Sequence, residues 1–145
     1  MLTTEVQTDP SRRWQHRHWM SIISAYGKSP FFDYYRDAFE PLYRQPFGRL
    51  AELDMLSMRT VMQTLGLDRS LLKFSDRYIP AGECTLDLRP KRAATVPDEA
   101  FEPYVQVFSD RMPFAANLSV MDLIFSEGPG AADYILQLSR TIGRE

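Results

Sequence analysis

Near the start of the chain, every fourth residue has either a ring or a branched apolar side chain. The set is Trp14, His18, Ile22 and Tyr26. Residues with this spacing share one face of an α-helix, so the pattern predicts an amphipathic helix that packs with this face inward. The preceding Asp9-Pro10 is a helix-start signal, because Asp caps open N–H groups and Pro fits the first helical position. The predicted helix therefore runs from about residue 10 to residue 26 and ends at Gly27.

Two further helices are predicted in the first half of the chain. Ser29-Pro30 repeats the cap-then-proline signal, and Pro41 ends or kinks the helix that follows. The apolar side of that helix is Phe32, Tyr35 and Phe39. The next helix runs from about Pro46 to Gly66. Its inner stripe is Leu50, Leu53, Ser57, Met58, Val61 and Leu65.

The middle of the chain has no sustained period. Prolines are frequent between Asp76 and Pro103, so we expect an irregular loop, either functional or merely connecting two helical halves. Short strands are expected at residues 71–74 and 85–88. Residues 104–108 alternate between β-prone and polar types, which predicts an extended segment.

Two helices are predicted near the end. Ser119-x-x-Asp122 is a capping box that opens a short helix, and Gly128-Pro129 separates it from the last one. The inward positions of the last helix are Ala132, Ile135, Leu138 and Ile142. The whole pattern predicts a mainly α fold, with residues 1–145 forming a single compact helical domain of about five helices, a short extended element and an irregular middle loop.

Composition narrows the function classes. A chain of 145 residues fits one domain, and folding would bury about 70% of its unfolded surface. The net charge of −2 favours neither nucleic acid nor an anionic membrane as partner. No apolar run approaches the ~20 residues that span a bilayer, and no signal peptide is visible, so a cytoplasmic location is expected. The single cysteine, Cys84, cannot form an internal disulfide and is interpreted as a free structural thiol.

His18 is the first candidate for chemistry. An imidazole can act as general acid or base near neutral pH. The alternative is a core histidine whose ring nitrogens are satisfied by neighbouring groups. His16 lies two residues away and points to a different helix face, so the two rings cannot share a metal ion, and we predict no metal site.

Basic residues cluster in the same predicted helix. They are Arg12, Arg13, His16 and Arg17. Positive charge in the first turn opposes the helix dipole, and a bound anion such as a phosphate or a sugar-nucleotide diphosphate would remove the conflict. The alternative is a solvated face that acidic residues neutralise.

The tail offers weaker candidates. Ser119 and Asp122 could be a nucleophile and an acid, although the capping box explains both without chemistry. Asp122 gains interest if its carboxylate reaches Tyr104 or His18. Tyr104 and Gln106 fall on one side of the extended segment, where both could offer hydrogen bonds to a ligand.

Two blocks of the sequence resemble the WbqC-like protein family. The first is Trp14-x-x-x-His18-x-x-x-Ile22-x-x-x-Tyr26-x-x-Ser29-Pro30-Phe31-Phe32. The second is Tyr104-x-Gln106-x-Phe108, followed by Asn117 to Phe125 and Glu127-Gly128-Pro129. Members of this family usually begin with a further segment before the Trp/His helix, and this chain lacks its patterns. The resemblance therefore implies either a late start or a shortened homologue.

The resemblance implies a part in bacterial surface-polysaccharide (O-antigen) biosynthesis, with amino-sugar acyl or aminoacyl transfer as a reasonable reaction. In that hypothesis His18 and Asp122 are the catalytic candidates. The substrate-binding candidates are Trp14, Arg13, Arg17, Tyr104 and Gln106. The expected ligand is a sugar nucleotide or another anionic small molecule, while the cofactor and the oligomeric state stay open. The competing hypothesis is a non-catalytic helical binding module or a truncated remnant.

Overall fold

The computed structural model describes residues 3–11, 13–68, 70, 72–73, 75, 77–80, 83 and 96–142. Over these residues the fold is mainly helical, which confirms the predicted class. The α-helices are α1 (Arg13–Tyr26), α2 (Phe32–Phe39), α3 (Pro41–Arg44), α4 (Leu50–Thr64), α5 (Val120–Glu127) and α6 (Ala131–Ile142). Short 3-10 turns lie at Thr3–Glu5, Asp98–Ala100 and Gly128–Gly130. The predicted helices correspond to α1, α2, α4, α5 and α6, whereas α3 is a single turn that the pattern missed.

Three helix starts differ from the prediction. α1 begins at Arg13 because the Asp9 carboxylate accepts hydrogen bonds from the Ser11 amide and hydroxyl, both at 2.8 Å, and holds a turn there. α2 begins at Phe32, after a turn over Ser29-Pro30. α4 begins at Leu50, where the Leu50 amide donates to the Val6 carbonyl at 2.9 Å and ties the N-terminal segment to the helix.

The inward face of α1 is rotated from the predicted one. Trp19 and Gln15 are each only 2% exposed, while His18 is exposed and Trp14 is half-buried. The expectation that His18 lies on the packed face is therefore wrong, because the inward stripe passes through the buried Gln15 and Trp19 and the half-buried Ile22 and Tyr26. Position 18 falls at the edge of that stripe.

The core joins both ends of the chain around Phe125 of α5, which is fully buried. Its ring contacts Phe32 and Phe39 of α2, with ring centroids 5.2 and 5.5 Å apart. Tyr26 at the end of α1 lies 5.4 Å away, and the Phe31 amide donates to the Phe125 carbonyl at 3.1 Å. Helices α1 and α2 therefore share one interior with α5, near the other end of the chain.

The segment before α5 is coil over residues 102–106 and then turns over Val107–Arg111. Gln106 is buried and Val105 is 76% exposed, so the predicted alternation holds there, but Phe108 lies in the turn and is 49% exposed. The described residues contain no strand beyond the isolated Gln7–Arg49 bridge. Of the two strand predictions, residues 85–88 lie outside the described residues, and the described Leu72 and Lys73 are coil.

One residue of the predicted inner stripe of α4 is not buried. Met58, assigned to the inner stripe of α4, is 47% exposed, whereas Leu65 at the end of that stripe is buried. Gly66 follows with φ +65°, the left-handed conformation that ends helices and favours glycine.

Ser119 caps α5 by accepting a hydrogen bond from the Met121 amide at 3.3 Å. Asp122 is not the second half of the box, because its carboxylate is engaged elsewhere.

Candidate functional site

A cavity of about 430 Å³ opens beside α1, between that helix, α3 and the start of α4. We call it the Trp14–His18 groove. Its walls include Trp14, His18, Leu42, Tyr43, Leu50 and Leu53. Ligand sites commonly combine such apolar walls with a few polar groups, here Thr8, Asp9 and Ser57.

His18 lies at the exposed edge of this groove. Its imidazole meets the Trp14 indole edge to face, with ring centroids 5.5 Å apart. The indole N–H donates to the Asp9 carbonyl at 3.3 Å, which fixes the ring against the segment before α1. The imidazole is thus oriented by an aromatic neighbour while its ring stays open to solvent. Of the two interpretations of His18, the enclosed core histidine does not describe this geometry.

The basic face of α1 consists of Arg13, His16 and Arg17, which are all exposed and border a second, open cavity of about 760 Å³. Asp9 and Ser11 complete its lining. Hydrogen bonds from the Ser11 backbone and hydroxyl hold the pKa of Asp9 below its usual value, with smaller help from the charges of the two arginines. Asp9 therefore carries negative charge beside the guanidiniums and offsets part of their field. Arg12 lies outside the described residues.

Tyr26, Tyr104 and Asp122 form a tyrosine–aspartate cluster in the interior. The Tyr104 hydroxyl donates to the Asp122 Oδ2 atom at 2.7 Å, and the Asp122 residue is 3% exposed. Burial, followed by the Asp122 charge and hydrogen bond, raises the pKa of Tyr26 to about 12. Burial and the hydrogen bond to Asp122 also raise the pKa of Tyr104. The cluster links the end of α1, the coil before α5 and α5 itself.

Gln106 braces the same coil. Its Nε2 atom donates to the Ala115 carbonyl at 2.8 Å, and its Oε1 atom accepts from the Ala115 amide at 2.9 Å. This two-point bond closes the turn between the two residues. Both ends of the Gln106 amide are thereby occupied by backbone, which leaves it a structural tie in this conformation rather than an open contact for a ligand.

The structure brings the predicted site residues together in two groups. Trp14 and His18 form the groove beside Arg13 and Arg17, and Tyr104 bonds to Asp122 near Gln106. The two groups lie at different ends of α1. Tyr26, which interacts with Asp122, follows His18 by eight residues and lies about 12 Å farther along the helix. The assignment of His18 and Asp122 as catalytic residues stays a prediction: the Asp122 carboxylate is buried, and Asp122 is not among the described residues that line the groove.

Two residues that shape this region are not among the candidates that the sequence predicts. Gln15 is 2% exposed, and its Nε2 atom donates to the carbonyls of Gln45 at 2.7 Å and Leu42 at 3.4 Å. It thereby satisfies free carbonyls at the end of α3. Its position four residues before Trp19 was the available signal. Asp9 was read only as a helix cap, yet it borders both cavities.

Metal ligands do not cluster in the part of the chain that the structure describes, where no group of three His, Cys, Asp or Glu side chains could hold an ion. Cys84 lies outside that part. Within the same residues, none of the helices has both the length and the apolar character needed to cross a membrane.

The part of the sequence that forms α1 to α4 matches a known protein family. The model of the WbqC-like protein family matches residues 1–95. This range covers more than half of the chain and all of the residues of the Trp14–His18 groove and the basic face, so the chain belongs to the WbqC-like family. The block from Tyr104 to Pro129 lies beyond the matched range. Comparisons with curated proteins and with solved structures gave no match.

Proposed function

We propose that this protein takes part in bacterial surface-polysaccharide (O-antigen) assembly in the cytoplasm, and that the Trp14–His18 groove is its working site. One observation carries the proposal: an exposed imidazole, oriented by Trp14, lies in a groove that borders a basic face. Membership of the WbqC-like family supports the site, because the matched residues include all of its walls.

The reaction that we propose is acyl or aminoacyl transfer to an amino sugar. The amine nitrogen attacks the carbonyl carbon of an activated ester or thioester, a C–N bond forms, and the bond to the leaving oxygen or sulfur breaks. His18 accepts the proton that the amine loses and returns it to the leaving group. Arg13 and Arg17 bind an anionic part of the substrate, since guanidinium groups fork onto phosphate oxygens.

Tyr104, Gln106 and Asp122 contribute to this proposal as positioning residues. They lie in the interior rather than in the groove, and the tyrosine–aspartate cluster fixes the end of α1 against α5. Their loss would act on the site by loosening the helix that carries His18. We propose no direct contact between the Asp122 carboxylate and substrate.

A second candidate is a non-catalytic binding module. The groove walls are mostly apolar and, among the described residues, His18 has a ring contact but no hydrogen bond to a carboxylate that would orient a catalytic imidazole. The two candidates differ in the His18→Gln variant. A binding module keeps most of its function, because glutamine retains polar contact, whereas an acid–base catalyst loses it.

The proposed role is tested by deleting the gene and comparing the surface polysaccharide by gel electrophoresis. We expect a shortened or altered polysaccharide, restored by the wild-type chain but not by the Arg13→Gln/Arg17→Gln double variant. Arg59→Gln is the matched control, because Arg59 is an exposed arginine on α4 outside both cavities. An unaltered polysaccharide in the deletion strain would refute the role.

A further inference from the structure

Asp9 lies where the two cavities of the α1 surface meet. It borders the Trp14–His18 groove on one side and the basic face on the other. Trp14 and Arg17 are three residues apart on α1, so their side chains are neighbours on the helix surface. The two cavities therefore form one continuous surface. It runs from the aromatic and apolar walls of the groove, past the Asp9 carboxylate, to the guanidinium groups of Arg13 and Arg17.

We propose that this surface binds the nucleoside diphosphate part of a sugar nucleotide. The base lies in the groove, the ribose lies at Asp9, and the diphosphate lies over Arg13 and Arg17. This inference rests on the proposed function and narrows its substrate class, because it assigns each part of the ligand to a part of the surface.

The groove suits a planar base. Trp14 and Tyr43 are half-buried rings in its wall, and aromatic faces are the usual partners of nucleobases. Ser57 brings a hydroxyl to the same wall, and its oxygen keeps acceptor capacity after donating to the Leu53 carbonyl at 2.7 Å. A hydrocarbon chain would leave these polar groups unused, which favours a nucleoside over a lipid diphosphate.

The Asp9 carboxylate, where the two cavities meet, suits a ribose. A carboxylate has about four acceptor positions, and the Ser11 amide and hydroxyl occupy two of them at Asp9. The remaining positions can accept from the two ribose hydroxyls. The same negative charge repels phosphate, so a diphosphate must lie farther along the surface, where Arg13 and Arg17 present two forks one helical turn apart.

Calorimetric titration of the full chain with uridine diphosphate, adenosine diphosphate, uridine and pyrophosphate tests this assignment. We expect a nucleoside diphosphate to bind more tightly than either uridine or pyrophosphate. The Arg13→Gln/Arg17→Gln double variant should lower the affinity for nucleotide and pyrophosphate by about tenfold or more. Arg59→Gln, the matched control, should leave both affinities unchanged.

The Asp9→Asn variant gives the sharpest signature, because its two effects have opposite signs. It should weaken nucleotide binding through loss of the ribose contact and strengthen pyrophosphate binding through loss of the negative charge. The melting temperature of each variant confirms that it is folded. A change of both affinities in the same direction would reduce the surface to a simple anion site and overturn the inference.

Two further outcomes would also overturn it. One is tighter binding of farnesyl diphosphate than of either nucleotide, which would assign the groove to a lipid chain. The other is no binding of any nucleotide. The proposed function is measured separately by the polysaccharide of the His18→Gln strain. If the His18→Gln strain loses the polysaccharide but the protein binds no nucleotide, only the inference is contradicted. If the protein binds nucleotide but the His18→Gln strain keeps its polysaccharide, only the proposed function is contradicted.

Discussion

The Phe31 ring lies against Gly128 so closely that a Cβ atom on the glycine would stand 2.5 Å from it. This contact joins the loop before α2 to the turn between α5 and α6. Gly128 also has φ +55°, a conformation that other residues adopt only with strain. Two separate physical demands therefore fall on one residue: the positive φ at the end of α5 and the close packing of the Phe31 ring.

Gly128→Ala is expected to destabilise the fold by about 2–4 kcal/mol, since the substitution combines a left-handed backbone with overpacking against an aromatic ring. Chemical denaturation measures the change. Gly130→Ala is the matched control, because its Cβ would meet only Glu127 Oε2 at an ordinary 3.8 Å and its φ is not positive. Equal losses in the two variants would contradict the close packing at Gly128.

Tyr104→Phe is expected to cost about 1–3 kcal/mol, because it removes a donor from the buried Asp122 carboxylate. Urea denaturation at neutral pH provides the measurement. Tyr134→Phe is the comparison, since the Tyr134 hydroxyl donates to the Glu102 carbonyl at an exposed position, where water can replace it. An effect at position 104 no larger than that at position 134 would show that the tyrosine–aspartate cluster contributes little.

The stability of the protein should fall in alkali through Tyr26. Burial and Asp122 raise its pKa in the fold to about 12 from an ordinary 10.0. The folded protein therefore holds this proton more tightly than the unfolded chain does. The resulting stabilisation is complete below about pH 10 and is lost as the pH rises toward 12.

Urea midpoints between pH 9 and pH 12 measure this loss. Tyr26→Phe should show a shallower decline than the wild type, because no proton is left to release at that position. Tyr78→Phe, which alters a ring that is 66% exposed, should decline as the wild type does. Parallel curves for wild type and Tyr26→Phe would be inconsistent with the raised pKa.

Gln15→Leu is expected to destabilise the fold by about 1–3 kcal/mol even though it makes the buried face of α1 more apolar. The Leu42 carbonyl loses its donor in the interior and the Gln45 carbonyl loses its donor at a partly buried position, and an unsatisfied buried carbonyl is costly. Thermal unfolding followed by circular dichroism gives the change. A higher melting temperature for Gln15→Leu would mean that apolar burial outweighs the two hydrogen bonds.

The position of most helices along the chain could be predicted because local spacing and breaker residues determine it. α1 ends at Tyr26, directly before Gly27, and α2 ends at Phe39, two residues before Pro41, as these breaker residues predict. The face that α1 buries was not predictable in the same way. Gln15 is inside because carbonyls of a later segment, 27 and 30 residues away, accept from its amide. His18 is outside because it lies at the open edge of the Trp14–His18 groove.

The contacts among the candidate site residues could be predicted only in part. Trp14 and His18 were paired correctly by helical spacing, since residues four apart meet on one face. The reach of Asp122 toward Tyr104 was one of two options, and only three-dimensional packing chose between Tyr104 and His18. The place of Asp9 between two cavities depends on how the segment before α1 lies against α4, and sequence spacing carries no record of that.

The claim that the Trp14–His18 groove is the working site is tested most directly by complementation with His18→Gln. The variant should keep the wild-type melting temperature, because His18 is exposed, and should fail to restore the surface polysaccharide of the deletion strain. Arg59→Gln, which alters an exposed residue of α4 outside both cavities, should restore it. A His18→Gln chain that is folded and restores the full polysaccharide would contradict the account.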